Sequence, residues 1–200
     1  MIKIAVFGGT FNPVHKGHIH LANRFAQILR VDRVLLIPAS IPPHKRAPAL
    51  APGEDRLAMC RLACGTSGVL KASGLEIRRG GLSYTSDTLR ELKTLYPDSE
   101  LYLITGEDMF LTLEQWHEAD TIFSLATVCA APRSRSGSGR LREYASALAR
   151  KGARTRVEDI RYLPVSSTRV REAVRKGENI SAYVPEPVAR YISEKHLYLG

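Results

Sequence analysis

The 200-residue sequence contains only three cysteines, one tryptophan and three methionines, and none of its apolar runs is longer than a strand. Cys60, Cys64 and Cys129 are odd in number and sit within apolar patterns, which excludes a disulfide scaffold and suits reduced, buried thiols. The lack of a long apolar run excludes a membrane-spanning helix. Met1 to Phe7 leads straight into Gly8-Gly9 rather than into a secretory segment, so the chain is expected to be cytoplasmic, with no membrane partner. With 15 Gly and 11 Pro it is not collagen-like, and 44% hydrophobic residues exclude general disorder. A chain of this length buries roughly 70% of its unfolded surface, enough for one core. A single domain over residues 1–200 is therefore expected, with a helical C-terminal part from about residue 165.

The charge is lopsided. Lys and Arg number 29 against 20 Asp and Glu, a balance of +9. Between Arg133 and Arg161 nine basic residues face three acidic ones, a net of +6. Such a stretch attracts polyanions, either nucleic acid or nucleotide phosphates, and its ordinary alternative is a solvated helix face. Aromatics to stack bases are sparse there, Tyr144 and Tyr162 alone, so nucleic acid is not the expected partner.

Apolar strands alternate with helical patterns along the chain. Ile2 to Phe7, Arg33 to Pro38, Leu101 to Thr105 and Ala126 to Ala131 read as buried strands, Val69 to Ile77 as one or two short strands, and Val157 to Tyr162 as a final one. Helical spacing runs from Gly17 to Leu29, Pro52 to Cys64 and Thr85 to Leu95, the last with Thr85 or Ser86 as cap. It continues around Asp108 to Leu125, Leu141 to Lys151, Ser167 to Lys176 and Pro185 to His196, while Ser134 to Gly139 reads as a mobile loop. Uniformly apolar strands between helices predict an α/β fold, a Rossmann-like doubly wound parallel sheet with a small C-terminal helical part. Ligands in such folds bind beyond the carboxyl ends of the strands, where the loops after Phe7, Pro38 and Thr105 converge.

Two motifs carry chemistry. Gly8-Gly9-Thr10-Phe11-Asn12-Pro13-Val14-His15-Lys16-Gly17-His18 joins the first strand to the first helix. Its glycines let the backbone approach a ligand, and free N–H groups at the helix start favour an anion. His15 and His18, three apart with Gly17 between them, can point the same way and donate to phosphate oxygens. His20 opens a metal reading, but positions 18 and 20 face apart on a helix and no ligand follows at metal spacing, so no protein metal site is expected. Near the other end, Ser166-Ser167-Thr168-Arg169-Val170-Arg171 places three hydroxyls at a helix start with arginine one turn in. That is a second phosphate cradle, or a plain N-cap.

Together these motifs resemble the nucleotidyltransferase superfamily marked by His-x-Gly-His after the first strand and by a Ser-Ser-Thr-x-x-Arg-like motif near the C-terminus. Within it the chain is most similar to the bacterial nicotinate-nucleotide adenylyltransferases. Pro42-Pro43-His44-Lys45 resembles that family's proline-rich substrate loop, and Tyr84-Thr85-Ser86-Asp87-Thr88-Leu89 its Tyr-Thr-x-Asp-Thr-Leu segment. Gly106-Glu107-Asp108 with Trp116 resembles its Gly-x-Asp and Trp elements. The likeness covers most of residues 2 to 196 in order.

The resemblance implies direct transfer. The phosphate of nicotinate mononucleotide attacks the α-phosphorus of ATP, giving deamido-NAD and pyrophosphate in NAD biosynthesis. It assigns charge compensation to His15, His18, Lys45 and Arg171, with Mg²⁺ bridging the ATP phosphates. ATP binding falls to Gly8, Gly9, Thr10, Phe11, His15, His18, Gly106, Asp108, Ser166, Ser167, Thr168 and Arg171, with Asp108 on the adenosine ribose. Nicotinate mononucleotide binding falls to Thr10, Phe11, Asn12, His44, Lys45, Tyr84, Thr85 and Trp116, with Trp116 stacked on the pyridine. Relatives of this kind are monomers or homodimers. The chain departs from the pattern at Asn12, where many relatives have Asp. It departs again at Ala130-Ala131-Pro132-Arg133, where Arg follows Pro instead of preceding it. The alternatives are transfer to nicotinamide mononucleotide or phosphopantetheine, a silent dinucleotide sensor, and nucleic-acid binding on the same scaffold.

Overall fold

A computed structural model describes residues 1–43, 50–134 and 137–199. Along the chain run β1 (Lys3–Gly9), α1 (Lys16–Leu29), β2 (Arg33–Pro38), α2 (Gly53–Cys64), β3 (Leu70–Ala72), α3 (Leu75–Arg79), α4 (Thr85–Leu95) and β4 (Glu100–Gly106). Then follow α5 (Glu107–Phe110), a 3-10 turn (Leu113–Gln115), α6 (Ala119–Leu125), β5 (Ala126–Ala131), α7 (Gly137–Ala149), β6 (Thr155–Val157), α8 (Ser167–Arg175) and α9 (Glu186–Glu194). The described strands form one sheet of six in the order β3-β2-β1-β4-β5-β6, with parallel pairing throughout. This is the doubly wound Rossmann-like arrangement expected from the sequence. The order reverses between β1 and β4, which opens a crevice at their carboxyl ends.

Strand parity divides the core. Ala5, Phe7, Val34, Leu36, Tyr102, Ile104 and Cys129 face one side, against Phe25 of α1, Met59 and Cys60 of α2, Val170 of α8 and Ile192 of α9. Ile4, Val6, Leu35, Ile37, Leu101, Leu103 and Val128 face the other, against Leu75, Leu89, Leu92, Phe110, Ile122 and Leu141. Both faces being covered, the strands read as continuous apolar runs. Val170, Val188 and Ile192 of the C-terminal helices belong to the first of these cores. The three cysteines are free and buried, and burial pushes the thiols of Cys64 and Cys129 up to about 11 and about 12. No helix among the described residues is long and apolar enough to cross a membrane.

Five local expectations change. In Val69 to Ile77 only Leu70–Ala72 is strand; the chain breaks at Ser73-Gly74, and Leu75–Arg79 is a helical turn closed by Gly80 at φ 73°. The last strand is Thr155–Val157, so most of Val157 to Tyr162 is irregular backbone. The stretch Asp108 to Leu125 is broken: Trp116 is extended and Glu118 takes φ 50°, which separates the 3-10 turn from α6. Helix α7 starts at Gly137 rather than Leu141, because Ser134 Oγ accepts the Gly137 N–H at 3.2 Å and Glu107 Oε1 accepts from Arg140 at 3.2 Å. A Cβ at Gly137 would lie 2.7 Å from Glu107 Oε1, so this close approach needs glycine. The N-cap position of α4 is Tyr84, without a side-chain cap, and Ser86 is buried inside the helix instead.

Candidate active site

The turn after β1 is built around aromatic packing. Gly9 lies under the Phe11 ring, where a Cβ would come within 3.1 Å of Cζ. Phe11 is buried, meets Phe7 edge-on at 5.5 Å and His18 at 5.0 Å, and thereby fixes the His18 ring. The family resemblance implies that this loop borders the nucleotides through its backbone; the Phe11 side chain belongs to the core, and the residue also lines the larger cavity described below.

His15 and His18 cap the helix with each other. His15 Nδ1 accepts the His18 N–H at 3.4 Å, and His18 Nδ1 accepts the His15 N–H at 3.2 Å. The rings stack with centroids 3.6 Å apart and planes inclined by 21°. An Nδ1 that accepts from the backbone carries no proton, so each neutral ring holds its hydrogen on Nε2, across the ring from the backbone. Burial lowers the His15 pKa to about 4, which keeps that ring neutral at pH 7. Gly17 permits the stack, since a Cβ there would sit 3.1 Å from His15 Cε1 and Nδ1.

The second motif docks onto this turn. Ser166 caps α8 by accepting the Arg169 N–H at 3.2 Å. Ser167 Oγ donates to the Pro13 carbonyl at 2.8 Å, and Arg171 Nη1 donates to the Asn12 carbonyl at 2.7 Å. Arg171 Nη2 also approaches Thr168 Oγ1 at 3.4 Å. The N-termini of α1 and α8, both positive dipole ends, therefore converge on one loop. From beneath, the Asn12 side-chain oxygen accepts from Ala51 N–H at 3.0 Å and from Tyr198 Oη at 2.8 Å.

A buried cation underpins the same loops. Arg56, 1% exposed, donates to the carbonyls of Ala51 (2.9 Å), Thr10 (2.9 Å), Ala39 (2.6 Å) and Ser40 (3.2 Å). It thus ties the turn after β1 to the segment after β2.

Two cavities meet above these loops and share Gly8, Gly9, Thr10, Gly106 and Met109. The larger is lined by Phe11, Asn12, His15, His18, Ser166, Ser167, Thr168 and Arg171. The smaller is lined by Pro42, Pro43, Tyr84, Thr85 and Trp116. Trp116 Nε1 donates to Thr112 Oγ1 at 3.3 Å, and the His117 and Tyr84 rings lie 4.2 Å apart with their planes inclined by 33°. The residues singled out from the sequence are therefore gathered in one crevice, with one exception in place. Asp108 lies outside both linings, at the rim, where it pairs with Arg133 Nη1 at 2.8 Å. His44 and Lys45 lie outside the described residues.

The sequence did not point to Glu76, Ser83 and His117 in the smaller cavity, or to Ile160 to Leu163 in the larger; it left open whether Arg133 reaches the site, and Arg133 lines the larger cavity. Glu76 sits on a turn that reads as strand, and no spacing marks it. Arg135 lies outside the described residues; among the described cations between Arg133 and Arg161, Arg133, Arg140, Arg142, Lys151 and Arg156 pair with carboxylates. Among the described residues no group of three or more His, Cys, Asp or Glu could hold a metal ion.

Comparison with known proteins follows this geometry. The cytidylyltransferase-like family model matches residues 6–173. A Synechococcus sp. (strain JA-3-3Ab) protein named "Probable nicotinate-nucleotide adenylyltransferase" is 40% identical over 197 residues, covering 98% of this chain and 95% of its own. A Desulfatibacillum aliphaticivorans protein of the same name is 35% identical over 218 residues, covering 99% of this chain and 100% of its own. Among solved structures, Plasmodium falciparum nicotinic acid mononucleotide adenylyltransferase complexed with NaAD superposes with a TM-score of 0.77 at 17% identity, covering 99% of this chain and 98% of that one. At that identity the likeness concerns the fold.

Proposed function

The chain belongs to the cytidylyltransferase-like family and, within it, to the nicotinate-nucleotide adenylyltransferases, and from that premise we propose how it moves the adenylyl group of ATP to nicotinate mononucleotide. It is a nucleotidyltransferase that forms deamido-NAD and pyrophosphate. The observation that carries the reading of the site is the junction of two cavities over Gly8-Gly9-Thr10. ATP occupies the larger and the acceptor ring the smaller, so acceptor phosphate and α-phosphate meet above the glycines.

The acceptor phosphate oxygen forms the new bond to the α-phosphorus as the bond to the oxygen bridging to the β-phosphorus breaks. Pyrophosphate leaves with that electron pair. No protein group forms a covalent bond. The chain positions the two phosphates and compensates their charge, with Nε2–H groups of His15 and His18, the amides opening α1 and α8, and Arg171 as donors. Buried Arg56 adds a fixed positive charge below the turn. Ring stacking falls to Trp116, and amides at the start of α4 suit the anionic ring substituent. Asp108 pairs with Arg133 through Oδ2, which leaves Oδ1 to accept from the adenosine ribose.

The larger cavity offers hydroxyls, amides, imidazoles and a guanidinium, while its Glu107 already accepts from the Arg133 N–H at 2.6 Å and from Arg140. Such donors would bind phosphate rather than a cation, so Mg²⁺ would arrive with ATP as a co-substrate and would supply charge neutralisation on the phosphates. The setting proposed is the cytoplasm.

Pyrophosphate release from ATP and Mg²⁺ tests this with nicotinate mononucleotide, nicotinamide mononucleotide and phosphopantetheine as acceptors. Preference for the first is expected. Release with phosphopantetheine alone, or with none, overturns the reading.

A further inference from the structure

The smaller cavity holds a carboxyl group to which the roles above assign nothing. Glu76 lines the cleft although the residue is only 5% exposed. Its Oε1 accepts from Thr88 Oγ1 at 2.7 Å, and the Ser83 hydroxyl also bonds to the carboxyl. Ser83 Oγ in turn accepts the Ser40 N–H at 2.8 Å. The carboxyl is thereby tied to both walls of the cleft, the first turn of α4 and the segment after β2.

Its charged surroundings do not neutralise it. Arg79, on the same turn, pairs with Glu91 of α4 at 3.0 Å and donates to Thr88 Oγ1 at 3.0 Å. Arg56 of α2 aims its donors at four carbonyls. Among the described residues neither guanidinium forms an ion pair with Glu76, and Glu91 adds a like charge. His117 and Tyr84 are the other titratable groups lining the cleft. Burial accordingly pushes the Glu76 carboxyl above the usual carboxylate range.

Nicotinate mononucleotide would bring a second carboxylate into this cleft. Two carboxylates sharing a partly dehydrated site do not both stay ionised at low cost. The ring substituent has the helix-start amides of α4, so the proton goes to Glu76, which still accepts from Thr88 in the neutral form. We propose that Glu76 is a specificity-determining residue whose carboxyl takes up one proton when the anionic ring occupies the cleft, so that the choice between a carboxylate and a carboxamide acceptor is coupled to pH. This rests on the acceptor assignment made above. A carboxamide ring demands no proton, so preference for the acid grows as pH falls.

The test is the ratio of kcat/KM for nicotinate mononucleotide over nicotinamide mononucleotide between about pH 5 and pH 8, where one coupled proton limits the slope to about tenfold per pH unit. ATP, the acceptor phosphate, His15 and His18 are common to both reactions and cancel in the ratio. Calorimetry of each acceptor in two buffers of different ionisation enthalpy reads the proton directly. The expected result is a ratio rising towards acid pH, proton uptake with nicotinate mononucleotide alone, and loss of both in Glu76→Gln. A flat wild-type ratio overturns the proposal without any variant. An unchanged slope in Glu76→Gln, or a slope abolished by His117→Gln instead, also overturns it. Transfer to neither acceptor overturns the functional reading and this inference together, whereas transfer with a flat ratio overturns the inference alone.

Discussion

Tyr198 donates its hydroxyl to Asn12 Oδ1 at 2.8 Å across 186 positions of sequence. The same oxygen accepts the Ala51 N–H, and the Asn12 carbonyl accepts from Arg171. The phosphate-facing turn is thus held from the segment before α2, from α8 and from the segment after α9. Burial pushes the Tyr198 phenol up, so it remains a neutral donor.

Tyr198→Phe removes one neutral hydrogen bond and leaves Ala51 on the same acceptor. A loss of about 1 kcal/mol is expected. The denaturant midpoint measures it, and KM for both nucleotides should rise together because the turn borders both cavities.

His15 makes stability depend on pH. Its folded pKa, about 4, lies below the ordinary 6.5, so the unfolded chain binds the proton more readily. The contribution is complete above pH 6.5 and disappears as pH falls through 4. It amounts to about 3 kcal/mol. Denaturation at a series of pH values should show this slope in the wild type and a shallower one in His15→Gln.

His18→Ala deletes a phosphate donor and one half of the reciprocal cap. Turnover should fall on the order of 10²-fold. Steady-state pyrophosphate release checks it, and unchanged kcat would remove His18 from the mechanism.

Gly17→Ala places a methyl 3.1 Å from the His15 ring. The helix tolerates alanine, so stability should change little, while the displaced ring should lower kcat about tenfold. A wild-type kcat would mean that the ring stack has no part in transfer.

Arg56→Met should destabilise by about 3 kcal/mol, because burial leaves several carbonyls without donors. A urea midpoint within error of the wild type would contradict the hub assigned to Arg56.

The fold was legible because the strands are apolar on both faces, a pattern that only a covered parallel sheet explains. His15 and His18 were legible because a glycine-rich turn precedes a helix. Their reciprocal capping was not, since spacing says nothing of which ring nitrogen meets the backbone. Glu76 and Arg56 escaped for a related reason: a buried charge has no sequence signature when its partners are carbonyls and hydroxyls from distant loops. Arg133, its reach to the site left open by the sequence, does line the larger cavity, but in the grip of Asp108.

The bonds from Ser167 to Pro13, Arg171 to Asn12 and Tyr198 to Asn12 span 154, 159 and 186 residues. Contacts this distant carry a large loop-closure entropy and form late in folding. During synthesis the sheet can pair through β5 while the phosphate turn still lacks its clamps. Catalytic competence therefore depends on the last contacts of the chain, since the phosphate turn stays unclamped until α8 and the segment after α9 have docked on it.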